Sequence, residues 1–166
     1  MKAPAFWYQP AGMTAKILSP LSCLFQTGAA VRKLLAHPYR AKIPVICVGN
    51  IVAGGSGKTP TALALAALLI ERGYRPAFVT RGYGGSERGV LRVDPALHTA
   101  AQVGDEALLL ARLAPTWMGR DRVAAIQQAE KSASHIIMDD GLQNPNVLPE
   151  IGLMIVDGVA GLEQAR

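Results

Sequence analysis

The sequence has few cysteines, few aromatic residues and no long apolar run. Only two cysteines occur among its 166 residues, and 5% of the residues are aromatic. Cys23 and Cys47 lie in apolar surroundings without metal-ligand spacing, so we expect them to be reduced packing residues of a cytoplasmic protein. No uninterrupted apolar stretch reaches the ~20 residues of a spanning helix. Pro4, Pro10 and Pro20 also break the pattern of a secretory signal.

Charged residues are scarce as well. They make up 17% of the chain, whereas half of the residues are hydrophobic, which argues against disorder and for one folded core. The net charge of +5 would suit nucleic acid, acidic phospholipid or a phosphorylated substrate. A basic-aromatic motif for nucleic acid is absent from the sequence. Charge alone does not choose between the other two partners.

Residues 1–42 form a first unit with helical periodicity. Apolar side chains recur at steps of three and four residues, at Ile17, Leu18, Leu21, Leu24 and Phe25. Basic residues flank them. This pattern fits a helical pair packed on the domain, and it equally fits an amphipathic helix resting on an anionic membrane surface.

From Ile43 onward, strand patterns alternate with helix patterns. The sequence predicts strands at 45–48, 76–80, 90–93, 135–138 and 153–156, of which 90–93 pairs locally, and helices at 59–72, 105–113 and 123–131. Continuous Val/Ile runs separated by helices are typical of a parallel sheet that helices cover on both faces. The predicted fold class is therefore α/β, with the second unit spanning residues 43–166.

A glycine-rich turn joins the first strand of this unit to its first helix. The turn reads VAGGSGKT over residues 52–59 and matches the end of the phosphate-binding loop pattern G-x-x-x-x-G-K-[ST]. Its backbone N–H groups would cradle phosphates, Lys58 would reach the β- and γ-phosphates, and the Thr59 hydroxyl would bind Mg²⁺. Val52 replaces the first glycine of the pattern. The alternative is an ordinary strand-to-helix turn with a chance lysine.

A second anchor for a metal follows the strand at 135–138. Asp139 and Asp140 come directly after this apolar run, where a carboxylate commonly holds Mg²⁺. A helix cap or a turn would also use such a pair, and the sequence leaves open which aspartate binds the metal. The histidines have no ligand spacing; they are His37, His98 and His135.

Other polar residues are predicted at the same sheet edge. Asp105 and Glu106 begin a helix, where they either complement its dipole or orient an acceptor hydroxyl. Arg81 follows the second strand and is expected to meet a phosphate. Arg120 and Arg122 are weaker candidates for the same role.

Five motifs occur together in one order and spacing. They are VGNIVAGGSGKTP, TRGYGG, VGDEALLL, GRDR and DDGLQ. In this combination the chain resembles the tetraacyldisaccharide 4′-kinases, and the resemblance covers nearly the whole sequence. It implies ATP-dependent phosphorylation of the 4′-hydroxyl of a lipid disaccharide at the cytoplasmic face of the inner membrane, with residues 1–42 contacting that membrane.

Motifs and resemblance together give a predicted site. The catalytic residues are Asp105, Lys58 and Asp140; the ATP-binding residues are Val52, Ala53, Gly54, Gly55, Ser56, Gly57, Lys58, Thr59 and Arg81; the Mg²⁺ ligands are Thr59 and Asp139. The resemblance also implies that Asp105 works with a histidine from the C-terminal half of the family's chain.

The sequence departs from the family in three respects. Family members are about twice as long, so the chain is expected to be a fragment that binds ATP with little turnover alone. Asn144 stands where many members have histidine, and Pro149 and Glu150 replace an Arg-Asp pair. The alternative functions are a kinase or ligase of a soluble small molecule, and a nucleotide-driven switch or partitioning protein. The partitioning ATPases carry a lysine where this chain has Ala53.

Overall fold

The chain divides into two units, residues 1–37 and residues 38–166. The computed structural model describes residues 38–50, 57–139, 141–142 and 144–156, all in the second unit. The predicted N-terminal helical segment, including Cys23 and His37, lies outside the described residues apart from 38–42. Over the described ranges, no helix is both long and apolar enough to cross a bilayer.

Six strands and four helices make up the described part of the second unit. In chain order they are β1 (Val45–Asn50), α1 (Lys58–Glu71), β2 (Pro76–Thr80), β3 (Leu91–Val93), α2 (Ala100–Val103), α3 (Asp105–Ala111), β4 (Thr116–Met118), α4 (Arg122–Ala129), β5 (His135–Asp139) and β6 (Ile151–Ile155).

The strands form one sheet in the order β3-β4-β2-β5-β1-β6. Every neighbouring pair is parallel except β3 with β4, which is antiparallel. The predicted parallel sheet is therefore confirmed in β1, β2, β5 and β6, and β4 is a fifth parallel strand that the sequence did not predict. The short strand predicted at 90–93 does pair, but with β4, which the sequence did not predict.

Helices cover both faces of the sheet, as the continuous apolar strands predicted. On one face, alternate residues of β1, β2 and β5 pack against α4 through Ala125, Ile126 and Ala129. On the other face, Val48, Phe78 and Ile137 pack with α1 and α3; the helix residues are Ala62, Ala66 and Leu110. Cys47 is buried on the α4 face and is not in a disulfide, in agreement with its predicted packing role.

The ends of α1 follow from local chemistry. Pro60 lies in the first turn, where a missing N–H costs no helical hydrogen bond. Gly73 ends the helix at φ +80°, and its N–H donates to the Ile70 carbonyl at 2.9 Å. A left-handed glycine just past the last turn is the usual helix terminator, so the predicted end at Gly73 is correct.

The second unit begins earlier than the sequence suggested. The backbone N–H of Tyr39 donates to the Asn146 carbonyl at 2.8 Å, and the Tyr39 hydroxyl donates to the Glu130 carboxylate at 3.1–3.2 Å. The backbone N–H of Lys42 also donates to Glu130, at 3.0 Å. These contacts attach residues 38–42 to the α/β unit, whereas the sequence had placed the boundary after Lys42.

Candidate phosphate-binding site

The parallel strands bring the predicted site residues to one edge of the sheet. Asn50 ends β1, Asp139 ends β5, Arg81 follows β2, and Arg120 comes two residues after β4. The carboxyl ends of parallel strands share one edge, and ligands of open α/β sheets bind outside that edge. Read along the sheet, the order is Asn50, Asp139, Arg81 and Arg120.

The glycine-lysine turn has the geometry that a phosphate-binding helix needs. Gly57 precedes α1 at φ +76°, a left-handed conformation that favours glycine. No side chain caps this helix end and no acidic residue lies in its first turn, so its positive end can attract an anion. Thr59 lies in the first turn and is partly exposed. Residues 52–56 of the predicted loop lie outside the described residues.

Lys58 is held beside the last residue of β1. Its Nζ donates a hydrogen bond to the Asn50 Oδ1 at 3.0 Å, in a partly buried position. This contact directs the ammonium group back over the carboxyl end of β1 rather than outward along α1. The sequence analysis did not identify Asn50; its position as the last strand residue before the glycines was the available signal.

Asp139 is the carboxylate next to this turn. It is 2% exposed and lies opposite Val48 of β1 in the parallel register. Asp140, the other predicted aspartate, lies outside the described residues. Over the described part of the chain, no three His, Cys, Asp or Glu side chains group as a metal cage.

The donor chemistry nevertheless suits Mg²⁺. This ion is commonly bound through one or two protein oxygens together with substrate phosphates and water, rather than by an all-protein cage. The Thr59 hydroxyl and the Asp139 carboxylate would supply such oxygens from α1 and the adjacent strand β5. Their positions therefore fit the predicted metal role.

The glycines of the RGYGG segment allow close packing against the segment that begins α3. A Cβ on Gly104 would collide with the Tyr83 carbonyl oxygen, and one on Gly85 would collide with the Gln102 carbonyl oxygen. Gly104 also has φ +87°. Backbone hydrogen bonds join the same segments, one of them from the Glu87 N–H to the Gln102 carbonyl at 3.0 Å. The two motifs thus form one structural unit, which spacing alone did not predict.

Asp105 follows Gly104 and is therefore fixed next to this unit. Its side chain is exposed, and its Oδ1 accepts a hydrogen bond from the Glu106 N–H at 2.9 Å. Glu106 is exposed too. The carboxylate of Asp105 thus faces solvent next to the RGYGG segment, with its orientation set by a backbone contact.

Arg81 and Arg120 line one cavity of about 230 Å³. The other residues that line it are Gly82, Tyr83, Gly84, Gly85 and Glu87. The Tyr83 side chain is 79% exposed at this position. The structure therefore brings two predicted phosphate-contacting arginines together, one strand apart, on the side of β5 away from β1.

Arg122, the third candidate arginine, lies elsewhere. It is only 6% exposed, and its Nη1 donates to the Gly119 carbonyl at 3.1 Å. Asp121 caps α4 by accepting from the Ala124 N–H at 3.1 Å. The prediction that Arg122 meets a phosphate at the open edge is wrong, since this guanidinium is buried at the start of α4.

Two histidines are in the described part of the chain. His135 packs its ring edge-on against Tyr74, with ring centroids 4.6 Å apart, at the amino end of β5. His98 accepts a hydrogen bond from the Asp94 N–H at 3.0 Å. Neither lies at the carboxyl edge, because β3 runs antiparallel and carries His98 to the opposite edge.

The positions that depart from the family pattern have structural contacts. The Asn144 Oδ1 accepts from the Asn146 N–H at 2.9 Å, within a turn. The Glu150 carboxylate accepts from the Val45 N–H at 2.7 Å and so holds the start of β1. Just before these positions, Leu142 packs on β1 where Gly49 leaves room for its side chain.

The fold and the edge define a P-loop-type α/β protein: a parallel sheet whose first strand leads through a glycine-lysine turn into a covering helix. Within that class, the chain belongs to the tetraacyldisaccharide-1-P 4′-kinase family, whose model matches residues 14–166. The family predicted from the motifs is thus confirmed.

Curated relatives support this membership. The tetraacyldisaccharide 4′-kinase of Methylobacterium sp. (strain 4-46) is 54% identical over 165 residues, which cover 98% of this chain and 49% of the relative. The tetraacyldisaccharide 4′-kinase of Rhodospirillum centenum is 49% identical over 171 residues. This match covers 100% of this chain and 51% of the relative. The chain therefore spans about half the length of the curated relatives it matches.

A solved structure matches the fold. The crystal structure of LpxK from Aquifex aeolicus in complex with ATP superposes with a TM-score of 0.75 at 27% sequence identity. The match covers 89% of this chain and 50% of that chain.

Proposed function

We propose that this chain provides the ATP-binding core of a kinase that phosphorylates the 4′-hydroxyl of a tetraacyldisaccharide 1-phosphate. The observation that carries the proposal is the arrangement of Lys58 and Asp139. The lysine is held over the end of β1, and the buried carboxylate ends the adjacent strand β5. The names of the family and its relatives, and the ATP in the Aquifex complex, support this assignment.

The residues have distinct roles in this proposal. Residues 52–59 cradle the phosphates of ATP, and Lys58 neutralises charge on the β- and γ-phosphates. Thr59 and Asp139 would hold Mg²⁺, which would neutralise phosphate charge, and we assign Asp140, the next residue in the sequence, as a further catalytic residue. In this proposal the residues position the two reactants and form no covalent intermediate with them. Such positioning suits phosphoryl transfer.

Asp105 acts on the acceptor. As the bond from the acceptor oxygen to the γ-phosphorus forms, the bond from that phosphorus to the bridging oxygen breaks, and ADP leaves. The hydroxyl proton passes to Asp105 or to a base that Asp105 orients. Its exposed carboxylate, next to the RGYGG segment, is accessible to an acceptor at the carboxyl edge.

The acceptor is a lipid, and we infer that the protein meets it at the cytoplasmic face of the inner membrane. The basic and apolar residues of the segment 1–42 support this location through attraction to anionic lipid and burial of apolar side chains. A peripheral contact of this kind needs no spanning helix.

A transfer assay tests the function. Because the relatives are about twice as long, we would use a hybrid in which this chain replaces the matching half of the Methylobacterium enzyme, to which it is 54% identical. With γ-labelled ATP, the hybrid should label tetraacyldisaccharide 1-phosphate in detergent micelles, and Lys58→Ala should abolish labelling while Lys131→Ala preserves it. Labelling of a soluble sugar but not of the lipid would contradict the proposal.

A further inference from the structure

We propose that Arg81 and Arg120 form a subsite for a phosphate monoester carried by the acceptor, separate from the ATP site. The inference rests on the proposed function, because the family's acceptor is a sugar 1-phosphate. It differs from the sequence prediction, which placed Arg81 at the phosphates of ATP.

The position of the cavity separates it from the nucleotide loop. In the sheet, β5 and β2 lie between β1 and β4, so three inter-strand steps separate the loop from the strand that precedes Arg120. At about 4.8 Å per step, the ends of β1 and β4 are about 14 Å apart. Arg81 follows β2, the neighbour of β4, and both arginines line one cavity. An anion that contacts both guanidinium groups therefore lies on the side of β5 that holds β2 and β4, away from the nucleotide loop after β1.

Within the described residues, the two arginines have no competing partner. Over the described residues, neither guanidinium makes a hydrogen bond or an ion pair. Glu87 lines the same cavity without pairing to either arginine, so two positive charges face one negative charge. A phosphate monoester, close to doubly charged at neutral pH, fits such a site better than a monoanion does.

The cavity is also held in shape. Three of its lining residues are glycines, which leave the backbone open to a ligand. Gly85 and the following residues pack against the segment before α3, through the close approach to Gln102 and the hydrogen bond from the Glu87 N–H. Contacts of this kind limit the movement of the backbone segment that follows Arg81, which lowers the cost of ordering the segment on binding.

Calorimetry on this chain, with Mg·ADP present in excess, tests the subsite. The probe is glucosamine 1-phosphate, and unphosphorylated glucosamine is the control ligand. Glucosamine 1-phosphate should bind, and Arg81→Gln and Arg120→Gln should each weaken its binding about tenfold or more, since each removes a charge-assisted contact. The matched control is Arg92→Gln, which changes an exposed arginine of β3 that lines a different cavity and should leave binding unchanged.

The outcomes separate the subsite from the nucleotide site. Unchanged glucosamine 1-phosphate binding in both arginine variants, with normal nucleotide binding, would overturn the subsite and leave the proposed function standing. A loss of nucleotide affinity in Arg120→Gln that matches the loss of sugar-phosphate affinity would assign the cavity to ATP and also overturn it. Sugar-phosphate binding that needs both arginines, in a chain that fails to bind nucleotide, would support the subsite and contradict the proposed function.

Discussion

At the residue scale, the contact between Lys58 and Asn50 makes a prediction about nucleotide affinity. The Lys58 Nζ lies 3.0 Å from the neutral Oδ1 of Asn50. Asn50→Asp would replace the neutral acceptor with a carboxylate, which would form an ion pair with the Lys58 ammonium and add a negative charge near the phosphates. Because hydrogen bonds to charged groups contribute about 1.5–3 kcal/mol, ATP affinity should fall about tenfold or more. Asn50→Ala, which adds no charge, should have a much smaller effect in the same titration.

In the proposed mechanism, Asp105 acts on the acceptor and not at the nucleotide site. In the hybrid described above, Asp105→Asn should lower kcat by about 10²–10⁴-fold, the usual contribution of a general base. ATP affinity should stay the same, because the exposed carboxylate contacts the Glu106 N–H at the start of α3. If ATP affinity instead falls in proportion to the rate, Asp105 is a metal ligand or a structural residue.

At the scale of elements, the packing of the RGYGG segment on the start of α3 depends on Gly104. Gly104→Ala would force a side chain into a left-handed conformation and against the Tyr83 carbonyl. Backbone strain of this kind costs about 1–3 kcal/mol, so the free energy of unfolding in urea should fall by at least that amount. Gly89→Ala is the control, since a Cβ there would meet nothing within 4 Å. Equal stability of the two variants would contradict the packing.

The attachment of residues 38–42 predicts a pH dependence. Burial, together with the neighbouring Glu130 carboxylate, raises the pKa of Tyr39 above its ordinary value of 10.0. The folded pKa is therefore the higher one, so this stabilisation is complete below about pH 10 and is lost as pH rises through the folded pKa. Unfolding measured from pH 8 to 11 should show a steeper loss of stability in the wild type than in Tyr39→Phe. If the stability of the wild type and of Tyr39→Phe fell equally with pH, the predicted role of Tyr39 would be contradicted.

The elements that the sequence predicted best have strong local signals. β2 and the end of α1 follow from an apolar run and from Gly73, and both lie where they were expected. β4 was missed because it has three residues, and pairing with β2 on one side and β3 on the other defines it. Such pairing is a tertiary effect that local propensity does not contain.

The sequence predicted those parts of the candidate site that depend on which residue follows a strand along the chain. It did not predict the parts that depend on which strands are neighbours in the sheet. Asp139 and Arg81 were expected at the carboxyl edge because each follows an apolar strand. The shared cavity of Arg81 and Arg120 needs β2 and β4 to be neighbours, which single-sequence periodicity does not give. Burial of Arg122 two residues after an exposed Arg120 likewise depends on how α4 packs.

At the scale of the whole molecule, the proposed membrane contact assigns a role to the first unit. Removal of residues 1–37, the boundary that the contacts of Tyr39 support, should abolish sedimentation with anionic liposomes. Binding of the intact chain should weaken as salt rises, because charge attraction to the lipid surface is screened. Equal sedimentation of the intact and shortened chains would show that the segment is not the membrane contact. Retained ATP binding would show that the shortened chain is folded.

The central claim is that the turn before α1 binds Mg·ATP through Lys58, and isothermal titration calorimetry of this chain tests it most directly. The account predicts one Mg·ATP per chain for the wild type and at least about a tenfold loss of affinity in Lys58→Ala. Lys131→Ala, which changes an exposed lysine at the end of α4, should bind like the wild type. Equal ATP affinity of the wild type and Lys58→Ala would contradict the claim.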